Sequence, residues 1–178
     1  MTPFEEKTLP DPVQEGRSET DETVFGEIVS RGRNLLKCIQ CGACTGSCPS
    51  GRRTQLRVRR LMEKVLMGFE DMLNSDDLWL CTTCYVCFDR CPRDAQPTSV
   101  MKRLRNIAVR KGFMKPAHQK VARLFCETGH LVPINDEVKA VRKSLGLSEL
   151  PPTVHSHPES LKELQILLDV TGFRRLIG

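Results

Sequence analysis

A chain of 178 residues has room for one ordinary domain, or for a small core with extensions. Its net charge of +5 hides a division: residues 1–30 carry eight acids against two bases, and the remainder fourteen against twenty-five. Hydrophobic residues make up 39% and aromatic ones 5%, and no apolar run approaches the roughly eighteen residues that a helical membrane span needs, so direct membrane insertion is excluded.

Residues 1–30 are polar, acidic and broken by Pro3, Pro10 and Pro12, without a periodic apolar face. They read as a mobile arm or one ordered by a partner. The segment Met1-Thr2-Pro3-Phe4-Glu5-Glu6 shows no secretory leader, so the thiols are expected in a reducing cytoplasm.

Next comes a run of four cysteines, Cys38-x2-Cys41-x2-Cys44-x3-Cys48-Pro49, in which Gly42 and Gly46 would help the loop wrap tightly. Leu61, Met62, Val65, Leu66 and Phe69 then trace a helical stripe, with Arg57, Arg60 and Lys64 facing out. Ser75-Asp76-Asp77 reads as an N-terminal cap or turn leading into Leu78-Trp79-Leu80. The second run, Cys81-x2-Cys84-x2-Cys87-x3-Cys91-Pro92, repeats the first at an offset of 43. Trp79 and Tyr85 flank or lie within it, and packing against the site is their expected role.

Beyond Cys91, the residues Val100, Leu104, Ile107 and Ala108 predict an amphipathic helix capped by Thr98 or Ser99 and stopped at Gly112. Lys102, Arg103, Arg105 and Arg110 are expected to meet solvent or a partner. Further helices are predicted over 116–128, 136–145 and 158–170, with Ser156 and Glu159 forming a capping box for the last. Cys126 falls on an apolar helix face and reads as a small buried hydrophobe. The four histidines form no metal-binding helix pair, and no phosphate-cradling glycine loop is present. The expected fold is all-α, with two cluster-binding loops among helices and a helical C-terminal extension. Its divisions are the arm (1–30), a two-cluster core (31–113) and an extension over 114–178 that serves as a docking surface.

The cysteine pattern is that of two 4Fe-4S clusters. Three thiolates spaced two residues apart can curl round one cubane with backbone N–H groups turned toward its sulfurs, whereas the fourth sits badly for the same cluster. In two-cluster proteins the cysteine before proline binds the other cluster. The predicted sets are therefore Cys38, Cys41, Cys44 and Cys91 for one cluster, and Cys81, Cys84, Cys87 and Cys48 for the second. Pro49 and Pro92 fix φ and remove a donor just after each last ligand, turning the chain toward the neighbouring site.

Structural zinc also uses Cys-x2-Cys pairs, but it gives no reason for triplets followed by Cys-Pro. A zinc-containing nucleic-acid module would draw on Arg52, Arg53, Arg57, Arg59 and Arg60. Two oxidised clusters of roughly −2 each account for much of that positive charge as local compensation or partner docking.

The segments Cys38-Ile-Gln-Cys-Gly-Ala-Cys-Thr-Gly-Ser-Cys-Pro49 and Leu78-Trp-Leu-Cys-Thr-Thr-Cys-Tyr-Val-Cys-Phe-Asp-Arg-Cys-Pro92 resemble the C subunits of heterodisulfide reductase (HdrC) from methanogenic archaea. The likeness runs from about Arg31 to Gly178. It implies an α-helical ferredoxin and a cytoplasmic complex of several subunits, in which electrons pass from a flavin and iron-sulfur subunit, HdrA, to HdrB. In such complexes HdrB, with its CCG motifs, reduces the coenzyme M–coenzyme B disulfide. Flavin-based bifurcation and a linked hydrogenase or formate dehydrogenase belong to the same expectation. This chain has no Cys-Cys-Gly, so no catalytic residue is expected in it and its role would be outer-sphere relay. The alternative is the iron-sulfur subunit of a succinate, fumarate or 2-hydroxy-acid dehydrogenase. The succinate and fumarate version would normally carry a plant-type 2Fe-2S domain upstream, and none of the 37 residues before Cys38 is Cys.

Overall fold

The 43-residue repeat of the cysteines is also a repeat of the backbone. In the computed structural model, which describes residues 23–177, each run is entered through a 3-10 turn, Arg33–Lys37 before the first and Asp76–Leu80 before the second. Each run contains a single helical turn, α2 (Ala43–Gly46) in the first and α4 (Val86–Asp89) in the second. Both pairs of elements are offset by 43 residues. The helices outside the runs are α1 (Val24–Ser30), α3 (Val58–Leu66), α5 (Pro97–Arg110), α6 (Pro116–Thr128), α7 (Asp136–Ser144) and α8 (Pro158–Val170). No strand occurs among the described residues, and the fold is all-α. No described helix is long and apolar enough to cross a membrane.

The described residues form two compact units, one ending at Ala108 and one beginning at Val109. In the first, α3 buries Val58, Leu61, Met62 and Val65, and α5 buries Val100, Met101, Leu104, Ile107 and Ala108. Leu35, Leu56, Met72, Leu73 and Leu78 fill the remainder of this core. Of the expected acidic arm, residues 1–22 lie outside the described residues. Val24 and Ile28 of α1 are buried, and the Thr23 side chain caps that helix by accepting from the Gly26 N–H.

Several local expectations change. Phe69 is exposed, because α3 ends at Leu66 and Gly68 adopts φ +74, which carries Phe69 off the apolar stripe. Neither Thr98 nor Ser99 caps α5, since the helix starts at Pro97 and both lie inside it. Ser75 does cap the 3-10 turn into the second run, accepting from the Asp77 N–H at 3.2 Å. The capping box at Ser156 does not form: Ser156 lies in the 3-10 turn Val154–Ser156, its hydroxyl donating to the Pro151 carbonyl, while His157 occupies the N-cap of α8. Arg57 folds back onto the Gly51, Thr54 and Leu56 carbonyls, and Lys64 pairs with Asp71.

In the second unit Cys126, Leu168 and Ile177 form a buried cluster with Ala122, Phe125, Leu164 and Phe173 against it. Burial pushes the Cys126 thiol upward, with Arg174 partly opposing, as for a small apolar core residue. Pro116 and Pro158 take the first helical positions of α6 and α8. Gly129, at φ +68, closes α6 with its N–H donating to the Phe125 carbonyl. A methyl group at Gly129 would lie 2.1 Å from Val154 Cγ2 and 3.0 Å from Leu164 Cδ2. Gly129→Ala is therefore expected to destabilise this unit by about 2–4 kcal/mol, from backbone strain plus overpacking. Urea unfolding followed by helical circular dichroism checks the value, and an unchanged midpoint would contradict it.

Candidate iron-sulfur centres

The curl of each ligand run is a backbone property. Gln40 and Gly42 have φ of +57° and +82°, and their counterparts 43 residues later, Thr83 and Tyr85, have +53° and +64°. Glycine is therefore not what allows the turn, because the second run adopts it with a tyrosine, a strained conformation of the kind held at functional sites. Gly46 closes α2 without a positive φ, so only one of the two glycines serves the loop as expected. The hydrogen bonds repeat as well: Thr45 and Gly46 donate to the Gly42 carbonyl, and Phe88 and Asp89 donate to that of Tyr85.

These turns bring the eight cysteines of the runs into two groups. Cys38, Cys41, Cys44 and Cys91 together line one pocket, with Ile39, Met62, Pro92, Ala95 and Pro97 as apolar wall and Arg59 and Arg93 at the same site. In the other group, Cys81, Cys48 and Cys84 all act electrostatically on the buried Cys87. Cys48 is itself buried, and the Ser50 hydroxyl just beyond it donates to the Leu80 carbonyl at 2.7 Å, one residue before Cys81. Cys91 thus shares a pocket with the first three cysteines of the other run, and Cys48 lies near enough to Cys87 to act on it.

Burial raises the Cys44 thiol to about 11, the neighbouring Cys87 adds to this, and hydrogen bonding at Thr45 opposes it. Burial also raises Cys87, against which the Thr98 hydroxyl works, before the nearby thiols push it up again. Such groups hold their protons until a metal replaces them, so loading the site releases protons. The influence of Cys87 on Cys44 sets the two groups near one another, and the turns that carry them, α2 and α4, pack together.

The donor set fits iron-sulfur clusters. Cysteine sulfurs of the runs receive hydrogen bonds: Gly51 N–H to Cys48 Sγ at 3.3 Å, Ala95 N–H to Cys91 Sγ at 3.2 Å, and the Gln40 amide to Cys38 Sγ at 3.4 Å. Among the described residues no three His, Cys, Asp or Glu side chains converge on a point as one metal ion demands. The four thiols of the first group line one pocket, a donor set that a polynuclear centre can use. Cys41 and Cys84 are exposed, giving each group one thiol at the protein surface.

Arg105 and Arg103, expected at the surface, are structural clamps. Arg105 donates to the Leu78 carbonyl at 3.0 Å and to the Cys81 carbonyl, and lies 5.7 Å from the centre of the Trp79 ring. Arg103 donates to the carbonyls of Ile28 and Arg31, both at 2.7 Å. Trp79 is partly buried beside Arg105, while Tyr85 is 41% exposed, with Lys102 donating to its hydroxyl at 3.0 Å and Phe88 edge-on at 5.9 Å.

The 4Fe-4S dicluster domain family matches residues 34–95. Over 175 residues the chain is 49% identical to the iron-sulfur C subunit of the CoB–CoM heterodisulfide reductase of Methanopyrus kandleri, covering 98% of this chain and 90% of that one. It is 53% identical over 148 residues to the C subunit of the H(2):CoB-CoM heterodisulfide,ferredoxin reductase of Methanothermobacter thermautotrophicus, covering 83% and 80% of the two chains. A third relative, the C subunit of the ferredoxin:CoB-CoM heterodisulfide reductase of Methanosarcina mazei, is 46% identical over 155 residues, or 87% and 96% of the two chains.

Proposed function

Since the chain belongs to the family of iron-sulfur C subunits of CoB–CoM heterodisulfide reductase, we propose that it relays single electrons from an HdrA-like flavin subunit to an HdrB-like CCG subunit, through two 4Fe-4S clusters. It is a non-catalytic subunit of an oxidoreductase; the relay, its direction and the two partners are our reading. The three relatives are named as heterodisulfide reductase subunits, which favours this reading over that of a dehydrogenase subunit.

The observation that carries the proposal is that Cys91 lines one pocket with Cys38, Cys41 and Cys44, while Cys48 acts on Cys87 alongside Cys81 and Cys84. Cys38, Cys41, Cys44 and Cys91 would hold one cluster, and Cys81, Cys84, Cys87 and Cys48 the other. When bound, such clusters supply reversible one-electron storage. The chain's residues do the remainder: Met62, Ala95 and Pro97 exclude water from the first site, and the N–H groups of Gly51 and Ala95 hold ligand sulfurs in place. We assign docking to the unit beyond Val109, where Val141, Leu145, Ile166 and Leu167 are all more than half exposed.

Anaerobic purification with iron and sulfide analysis tests the cofactor reading, the expected result being about eight iron atoms per chain. Stoichiometric zinc in a colourless protein would overturn it. Rapid mixing with the reduced flavin subunit, and then with the CCG subunit, tests the relay. Reduction by the first and reoxidation by the second are expected, and failure of either step on a fully loaded chain would refute the path.

A further inference from the structure

We propose that Thr98 is a positioning residue that raises the reduction potential of one cluster by donating its hydroxyl hydrogen to the Cys87 thiolate. The inference rests on the two-cluster reading above. Thr98 is 1% exposed, the one polar residue buried in the apolar core among the described residues, and its Oγ1 lies 3.2 Å from Cys87 Sγ. That sulfur is the only hydrogen-bond partner of the hydroxyl among the described residues.

A threonine hydroxyl at this depth needs a partner, because burying it without one costs about 1–3 kcal/mol. A thiolate that ligates iron carries no hydrogen, so in the loaded protein the direction of the bond is determined: the oxygen donates and the sulfur accepts. One-electron reduction adds negative charge to the cluster and its sulfurs. A donor held in a water-poor setting therefore stabilises the reduced form more than the oxidised one.

The geometry is specific to one half of the molecule. Thr98 comes from α5, outside the ligand run, and the residue 43 positions earlier is the exposed Gln55. The first group draws its side-chain donation from Gln40 to Cys38, and from Thr45 beside Cys44. Removing the Thr98 hydroxyl should thus move one potential and leave the other in place.

Thr98→Val keeps the shape and removes the donor. In the anaerobically purified full chain, redox-poised EPR is expected to show both clusters. At a fixed ambient potential the reduced-to-oxidised ratio of the affected cluster should fall about tenfold, equal to about 59 mV for a one-electron couple. The other cluster should titrate unchanged, and Thr98→Ser should restore the original ratio. A Thr98→Val protein with two clusters and unaltered midpoints would overturn the proposal, as would Thr98→Ser shifting as far as valine. If the valine variant fails to hold iron, pulsed EPR of Thr98→Ala and Thr98→Ser decides after exchange into deuterated water. Loss of one exchangeable-hydrogen coupling in alanine but not serine supports the bond, and its retention in both refutes it. Half the expected iron in the unsubstituted chain would instead count against the two-cluster reading itself.

Discussion

Replacing Cys91 by alanine is expected to abolish the spectroscopic signature that Cys38→Ala abolishes, not the one lost in Cys84→Ala. Cys91 lines the same cavity as Cys38, Cys41 and Cys44, although more than 40 residues of chain separate it from them. Cys48, seven residues from Cys41, acts instead on Cys87 beside Cys81 and Cys84. Each substitution removes one of four thiolates from one centre, so about half of the eight iron atoms should go, or the centre should fall to a three-iron form. Cys48→Ala should match Cys84→Ala by the same reasoning. Because ligand binding and folding share one free energy in such loops, the damaged half should also unfold at lower denaturant than the intact protein. Iron analysis and EPR of the four variants, prepared anaerobically, give the grouping directly. Cys91→Ala behaving like Cys84→Ala would mean that each run closes on its own cluster.

The chemistry of the site was legible in the sequence because metal ligation is written in residue identity and spacing, and the offset of 43 exposed the pair before any fold was known. The helices α6 and α8 were legible to the residue, since each starts at a proline in its first turn and stops near a glycine of positive φ. What could not be read were contacts made across the chain. Thr98 resembled a cap because threonine is favoured there, yet Pro97 takes the helix start and the hydroxyl turns to a sulfur eleven residues away. Arginines 103 and 105 fell on the polar side of a helical wheel, but a long side chain can leave its own face and reach carbonyls more than twenty residues distant. Tyr85 gave no local sign of a left-handed backbone either. The ligand spacing imposes that conformation, and only the parallel with Gly42 hints at it.

Arg105→Met is expected to empty the centre built on Cys81, Cys84, Cys87 and Cys48 while sparing the other. The guanidinium holds the carbonyls of Leu78 and Cys81 from α5, and so fixes the 3-10 turn that delivers the first ligand of the second run. It also lies over Trp79, whose ring packs in the same turn. A hydrogen bond from a charged donor contributes about 1.5–3 kcal/mol, and a partly desolvated cation over an indole about 1 kcal/mol. Losing two such bonds and the ring contact should cost about 3–5 kcal/mol, allowing for the part that a methionine stem recovers by packing. On the Cys38 side, among the described residues, a guanidinium reaches the run only through the longer bond from Arg59 to the Gln40 carbonyl at 3.5 Å, and the Cys38 N–H donates within its own turn to Leu35. Arg103→Met provides the comparison: its bonds go to Ile28 and Arg31, so α1 should loosen while both centres keep their iron. Iron content, EPR of each centre and thermal unfolding separate the two outcomes. Equal iron loss from both centres in Arg105→Met, or full retention in both, would show that this arginine does not serve as the anchor of the second ligand loop.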